Sequence, residues 1–216
     1  MDSYQELSEL PFASALVSHD GGWRPDETYD AVHVDGGTLE SAGAVGSRFM
    51  ECAFTQVTFD GGSLRRSRLS EVWLRDVRLV ATDLAESDWL DAAFVSTVIA
   101  GAQAYNSNLR RVSFRGCKID SVNFRSATLV DVVFDDCLLR DVDFAGATLE
   151  RTRFPGSRLS GVDFTKATLK KADLRGADLD ISAGYDSLRG AIIDTAQLID
   201  LAPTFAQVLG ITVKDV

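Results

Sequence analysis

The fold is decided by residues 124–154, which read FRSATLVDVVFDDCLLRDVDFAGATLERTRF. Every fifth residue in this stretch is Phe or Leu, in strict alternation. The same spacing continues in both directions, so a large apolar residue recurs from Leu39 to Leu179 without a break in phase, except at Ala44 and Ala104. A period of five fits neither the 3.6-residue helix nor the two-residue strand. It indicates a repeat protein whose chain turns a corner after every five residues.

A second series lies two residues before each central residue and is small or β-branched, as at Val132, Cys137 and Val142. Two inward residues of every five, one large and one small, describe a chain that encloses a narrow apolar axis. Four such sides close a square coil of about 20 residues, and Leu39 to Leu179 provides about seven coils. Because stacked coils are held at the strand spacing of about 4.8 Å, the sequence predicts an all-β solenoid.

Arranging the sequence in rows of 20 residues places like side chains above like, as stacked coils require. One side then carries a structural ladder of aromatic rings, which comprises Phe94, Phe114, Phe134 and Phe154. Cys117 and Cys137 become neighbours on successive coils, within reach of a disulfide. We expect them to remain buried thiols in a reducing cytosol.

Segments such as Ala167-Thr168-Leu169-Lys170-Lys171 resemble the A-(D/N)-L-x-x unit of pentapeptide-repeat proteins. The resemblance covers roughly residues 35 to 181 and implies a right-handed quadrilateral β-helix, as in the stand-alone bacterial members. It does not by itself imply an activity, because one fold serves many functions. The best-understood members resemble duplex DNA in size and charge and bind DNA gyrase and other type II topoisomerases. Some of these relatives dimerise end to end through a C-terminal helix.

Three segments are predicted: an acidic N-terminal capping segment at 1–35, the β-helix at 36–181, and a loop with a C-terminal helix at 182–216. The first segment does not follow the period, and an open coil needs a cover; an acidic docking arm is the alternative. The net charge is −10, and residues 1–60 hold 11 acidic and two basic residues. The acidity is therefore concentrated at the front of the chain.

The C-terminal segment has the signals of one capped helix. Asp194 and Gln197 have the spacing of a capping box, and Gly210 is a stop signal. Pro203 lies inside the pattern, which predicts a kink or two short helices. The apolar residues recur at helical spacing on one face, which comprises Leu198, Leu201, Phe205 and Leu209. This face is predicted to cap the last coil or to form a dimer, and the two roles are compatible.

Four apolar residues occupy outward positions that are polar elsewhere in the repeat: Trp73, Val80, Val95 and Val98. They form a candidate patch for a protein partner, because exposed apolar patches often mark interfaces. Two alternatives remain open. Single apolar residues are ordinary on protein surfaces, or the N-terminal segment folds back over them.

Catalysis is not expected, because a filled rod offers no concave, partly dry pocket. Asp143, Asp163, Asp173 and Asp178 directly precede a central residue, where we expect a structural bond to turn backbone. The only two histidines, His19 and His33, lie outside the repeat, so no metal site and no cofactor are predicted. Without a signal peptide or a long apolar stretch in the sequence, we expect a cytoplasmic protein with no membrane contact.

The sequence thus predicts a non-enzymatic, rigid interaction module with an unidentified protein partner; a DNA mimic that binds gyrase is the alternative. A mimic needs an acidic side, since duplex DNA carries a negative charge about every 1.7 Å. Acidic against basic residues on the four predicted sides number 6:4, 4:4, 6:7 and 4:4. Mimicry therefore requires the acidic N-terminal segment to lie along the rod. Direct nucleic-acid binding is not expected, because the basic residues lack aromatic neighbours.

Overall fold

A computed structural model describes residues 4–20 and 22–214, so the predicted N-terminal and C-terminal segments extend beyond the described residues. The chain forms a β-helix of parallel strands with a square cross-section. Two of its three sheets have eight strands and the third has seven, so the coil makes about eight turns. We number the sides 1 to 4 in chain order.

Short strands form sides 1 to 3, and isolated bridges hold side 4. Side 1 comprises Thr28–Asp30, Arg48–Met50, Arg68–Ser70, Asp88–Leu90, Asn108–Arg110, Thr128–Val130, Thr148–Glu150 and Thr168–Lys170. Side 2 comprises Val17–Ser18, Val32–Asp35, Ala53–Thr55, Trp73–Arg75, Ala93–Val95, Ser113–Arg115 and Val133–Asp135. Side 3 comprises Thr38–Glu40, Thr58–Asp60, Arg78–Val80, Val98–Ala100, Lys118–Asp120, Leu138–Arg140, Arg158–Asp163 and Asp178–Ala183. Side 4 runs through bridges at Gly43, Ser63, Asp83, Gln103, Asn123, Asp143 and Asp163.

The aromatic ladder of side 2 follows from the 20-residue register. Phe94 pairs with Phe114, and Phe114 pairs with Phe134. The rings along the ladder from Phe94 to Phe154 stack at centroid distances of 4.6, 4.8 and 5.0 Å, with interplanar angles of 17°, 5° and 7°. Because strands in register place equivalent side chains directly above one another, the rings form one continuous stack along side 2.

Each corner of the coil needs a residue with left-handed backbone, and this residue comes two positions after the central apolar residue. Ala81, Glu86 and Asp91 have φ values of +50°, +59° and +53°. This conformation costs an L-residue about 1–2 kcal/mol. Most corners hold a residue other than glycine and therefore carry this cost. Burial of the two inward residues of each repeat must offset it.

The small inward series also holds buried polar groups, and these bond the coil below. The hydroxyls of Thr97 and Ser157 donate to the carbonyls of Leu74 and Phe134 at 3.5 and 2.8 Å. In the same column Cys117 and Cys137 donate to the coil below in the same way and are free thiols. The buried polar side chains therefore keep the coils in register rather than forming a reactive site.

The β-helix begins earlier than the predicted boundary at residue 35. Tyr29 and Val34 keep the phase of five and pair with Phe49 and Phe54. The rings of Tyr29 and Phe49 stack at 5.1 Å. Trp23 then covers this end of the axis, with ring centroids 4.6 Å from Tyr29 and 5.3 Å from Phe49. Residues 28–35 thus belong to the coil, and the residues before them close it.

The C-terminal end is closed by a 3-10 helix, Tyr185–Leu188, and an α-helix, Thr195–Val208. The predicted capping box is present, and Pro203 lies inside one continuous helix, so the alternative of two short helices is wrong. The side-chain amide of Gln197 donates to the carbonyls of Leu174 and Ala177 at 2.6 and 2.7 Å. A polar side chain therefore satisfies the exposed backbone of the last coil.

Candidate interaction surfaces

The axis of the rod is packed with side chains and has no room for a substrate. A small void in the axis, about 20 Å³, lies where Ala104 replaces a large residue. Apolar side chains line it, including Trp89 and Phe124. A space of this size holds about one water molecule.

Titratable side chains do not assemble into a centre in the described part of the chain. No group of three His, Cys, Asp or Glu side chains there could hold a metal ion. The pKa of the Cys137 thiol is raised, first by its hydrogen bond to the Cys117 thiol and then by desolvation on burial. Within the same residues, no helix is both long and apolar enough to span a membrane.

The aspartates that precede central residues bond the backbone of their own turns. The carboxylates of Asp143, Asp163 and Asp173 accept the backbone N–H two residues later, at 2.8, 2.7 and 3.1 Å. The predicted structural role is confirmed for these three. Asp178 differs, because its carboxylate accepts from Nε of Arg158 at 3.0 Å.

Ion pairs between successive coils neutralise the sides of the rod. Arg111 binds Asp91 with two N–H groups at 2.7 and 2.6 Å, twenty residues apart. Arg151 binds Asp131 in the same geometry at 2.6 and 2.9 Å. These hydrogen bonds lower the pKa of both Asp91 and Asp131. Because acidic and basic residues alternate up this column, the described part of the chain has no continuous acidic stripe there.

The predicted exposed patch is covered on side 2. Trp73 is fully buried and Val95 is only 8% exposed, because residues 4–16 lie across them. We call residues 4–16 the strap. Val80 and Val98 lie on side 3 and are half-buried. The sequence therefore located apolar outward positions. Two of them, Trp73 and Val95, are covered by the chain's own N-terminal segment, the alternative that the sequence left open.

Polar contacts fix the strap to side 2. Nε1 of Trp73 donates to the carbonyl of Tyr4 at 3.3 Å, and the guanidinium of Arg75 donates to the carbonyl of Gln5 at 2.6 Å. Arg75 also pairs with Glu6 at 2.5 Å. The strap thus lies along the rod, yet its Glu6 is neutralised by a basic residue of the side that it covers.

The C-terminal helix leaves much of its apolar face uncovered. Leu201 is buried and Phe205 is half-buried, whereas Leu198 is 50% and Leu209 is 73% exposed. Further exposed apolar residues of the helix and the tail are Ile199, Val208, Ile211 and Val213. We call these exposed residues, together with Leu198 and Leu209, the C-terminal apolar surface.

Acidic residues without ion pairs gather at the opposite end. Those within residues 20–60 are Asp20, Asp26, Glu27, Asp30, Asp35, Glu40, Glu51 and Asp60. The structure shows no salt bridge for any of them among the described residues. The first coils therefore form an acidic end, while the sides of the rod are balanced.

Comparison with known proteins agrees with this architecture. Residues 87–164 match the family model described as a pentapeptide repeat region. The chain therefore contains a pentapeptide repeat region at these residues, and they lie in the middle of the square coil. No curated protein sequence matches it.

Solved structures of pentapeptide-repeat proteins are similar to the chain at low identity. HetL, involved in heterocyst differentiation regulation in Nostoc sp. strain PCC 7120, is 20% identical over 78% of this chain and 90% of its own, with a TM-score of 0.46. QnrB1, a plasmid-mediated fluoroquinolone resistance protein, is 17% identical over 93% of this chain and 99% of its own, with a TM-score of 0.41. AT2G44920 from the Arabidopsis thaliana thylakoid lumen is 13% identical over 56% and 74%, with a TM-score of 0.43. Similarity at this level assigns no partner to the chain.

Proposed function

We propose that the chain is a non-enzymatic, rigid protein-binding module of the cytoplasm that pairs with a second copy through its C-terminal apolar surface. One observation carries the self-association: Leu198 of the helix and Leu209, which directly follows the helix, remain at least half exposed although the helix already caps the coil. Burial of apolar area stabilises by about 25 cal/mol per Å². The surface therefore favours an apolar partner.

A second copy presents the same surface about a two-fold axis, which gives a self-complementary interface. The helix does not need these residues for capping, because Gln197 and Leu201 supply the contacts with the last coil. Two rods joined at this end form a longer rod. Its sides and its two acidic ends are then free for a protein partner.

Sedimentation equilibrium of the full chain tests the pairing. We expect wild type to be a dimer and Leu209→Asp to be a folded monomer, because a carboxylate at a buried apolar contact is costly. Gln207→Asp is the matched control, since Gln207 is an exposed polar residue of the same helix. A wild-type monomer, or a Leu209→Asp dimer, would overturn the proposal.

The alternative is a DNA mimic that binds gyrase, and the unpaired acidic end is the observation that favours it. The paired sides of the rod disfavour it, because a mimic must present negative charge along its length. A gyrase supercoiling assay, with and without a fluoroquinolone, separates the two. We expect no effect of the protein well above stoichiometric amounts. Inhibition of gyrase, or its protection from the fluoroquinolone, that is lost in the triple variant Glu40→Gln, Glu51→Gln, Asp60→Asn would establish the alternative.

A further inference from the structure

The strap forms a hydrophobic cluster separate from the axis of the rod. This cluster joins Leu10 and Phe12 of the strap to the outward residues Ala53, Trp73, Ala93 and Val95. The axial core contains no residue of the strap. The two clusters lie on opposite faces of side 2. The strap cluster can therefore open while the axial core stays packed.

The backbone of the coil is also complete without the strap. Trp73–Arg75 pairs in register with Ala53–Thr55 on one edge and with Ala93–Val95 on the other. Hydrogen bonds between two backbone groups stay within the strap for residues 5–16, and the first such bond to the coil runs from the N–H of Val17 to the carbonyl of Ala31 at 2.8 Å. Segments held by few contacts open without global unfolding. Release of the strap therefore leaves an intact coil with an exposed indole.

The strap itself shows which chemistry this surface accepts. Leu10 and Phe12, two positions apart, are buried against Trp73, and the small residues Ala53 and Ala93 beside the indole leave room for them. Backbone carbonyls accept from Trp73 and Arg75, and an acidic side chain pairs with Arg75. A segment that folds as the strap does, through the short 3-10 helices Leu7–Glu9 and Ala13–Ala15, satisfies each of these groups with one carboxylate and two apolar side chains.

We propose that side 2 around Trp73 is a binding groove for a short acidic and apolar segment of a partner protein, and that the strap fills this groove in the free chain. The inference goes beyond the pairing at the C-terminal end and does not depend on it. A tethered segment acts at an effective concentration of about millimolar. An outside segment therefore binds well only when the strap is displaced.

The test compares two chains: the released chain carries both Leu10→Asp and Phe12→Asp, which remove the apolar anchors of the strap, and the strapped chain keeps the native strap. The released and the strapped chain both carry Leu209→Asp as well, so pairing at the C-terminal end does not contribute. The probe is a fluorescein-labelled peptide of residues 4–16, and polarisation reports its binding. We expect the released chain to bind the peptide at least about tenfold more tightly than the strapped chain, since the tethered competitor is gone.

Two matched controls assign the binding to the groove. A peptide with the same two Asp substitutions should not bind the released chain. Trp73→Ala in the released chain should abolish binding of the native peptide, whereas Val80→Ala, on side 3, should not affect it. Equal peptide binding by the released and strapped chains would overturn the proposal.

Two further outcomes would also overturn it. Loss of the β-sheet circular dichroism signal in the released chain would show that the strap is part of the folded coil. A dimer of the strapped chain by light scattering that disappears in the released chain would show that the groove takes the strap of a second copy instead of a partner. Failure of the C-terminal pairing is detected separately, because it concerns the chain without Leu209→Asp.

Discussion

The rings of Phe114 and Phe134 stack with centroids 4.8 Å apart and planes within 5° of each other. They are twenty residues apart in sequence and directly opposed in register. Both are almost completely buried. The relationship ties the five-residue sequence period to a filled axis, and the filled axis explains why the protein can act only through its outer surfaces.

Truncation of one ring of this ladder should be costly. Phe134→Ala is expected to lower the free energy of unfolding by about 3–5 kcal/mol, because it empties a packed aromatic site. Asp135→Ala, which removes an exposed ion pair with Arg115, is expected to change it by less than about 0.5 kcal/mol. Denaturant unfolding of both variants checks this, and equal stabilities would contradict the inward assignment.

The corner backbone gives opposite expectations for two alanines. Ala81 has φ +50° at an exposed corner, so Ala81→Gly should stabilise by up to about 1 kcal/mol by relieving the left-handed strain. Ala100 lies in a strand, so Ala100→Gly should destabilise by about 0.5–1 kcal/mol. Thermal unfolding compares the two. A lower melting temperature for Ala81→Gly would show that the corner does not strain its residue.

The C-terminal cap should depend on one amide. Gln197→Ala leaves the carbonyls of Leu174 and Ala177 without their partner, and a buried unsatisfied group costs about 1–3 kcal/mol. Gln207→Ala, on an exposed position of the same helix, is the control and should have little effect. Hydrogen exchange of the last coil checks the site of the effect, and unchanged protection there would rule out the capping role.

The coil-to-coil ion pairs should make stability depend on acid pH. The pKa of Asp91 is lowered by its hydrogen bonds to Arg111. Because the folded pKa is below the unfolded one, the pair stabilises the fold above the ordinary aspartate pKa of about 3.9 and loses this effect as pH falls through the lowered value. Asp91→Asn should therefore flatten the fall in melting temperature between neutral and acid pH. Asp60→Asn, which removes an acid without an ion pair, is the control, and equal flattening by both would refute the assignment.

The axis of the rod could be predicted because its signal is periodic. One large and one small inward residue repeat every five positions, and no helix or ordinary strand gives that pattern. Residues 1–35 are predicted to be a cap because that segment as a whole does not follow the period, although Tyr29 and Val34 keep the phase of five. The phase itself extends to Tyr29, so a search by phase alone would have found the first coil.

The strap could not be predicted in position, since Leu10 and Phe12 pack on a surface and follow no repeat. Their target was visible, because Trp73 is an indole at an outward position of a polar rod. The polar cap made by Gln197 was also missed, since its carbonyl partners are backbone groups that the sequence does not distinguish. Sequence periodicity predicts which residues line the axis, whereas contacts made by residues outside the repeat are found only from the structure.

The mass of the full-length chain in solution, measured by light scattering, tests the proposed pairing most directly. A rod that pairs through the C-terminal apolar surface has twice the chain mass of 23.4 kDa, and Leu209→Asp returns it to the single-chain mass with the coil still folded. A wild-type mass of 23.4 kDa at micromolar concentration would contradict the pairing. The C-terminal apolar surface would then be a candidate site for a different protein.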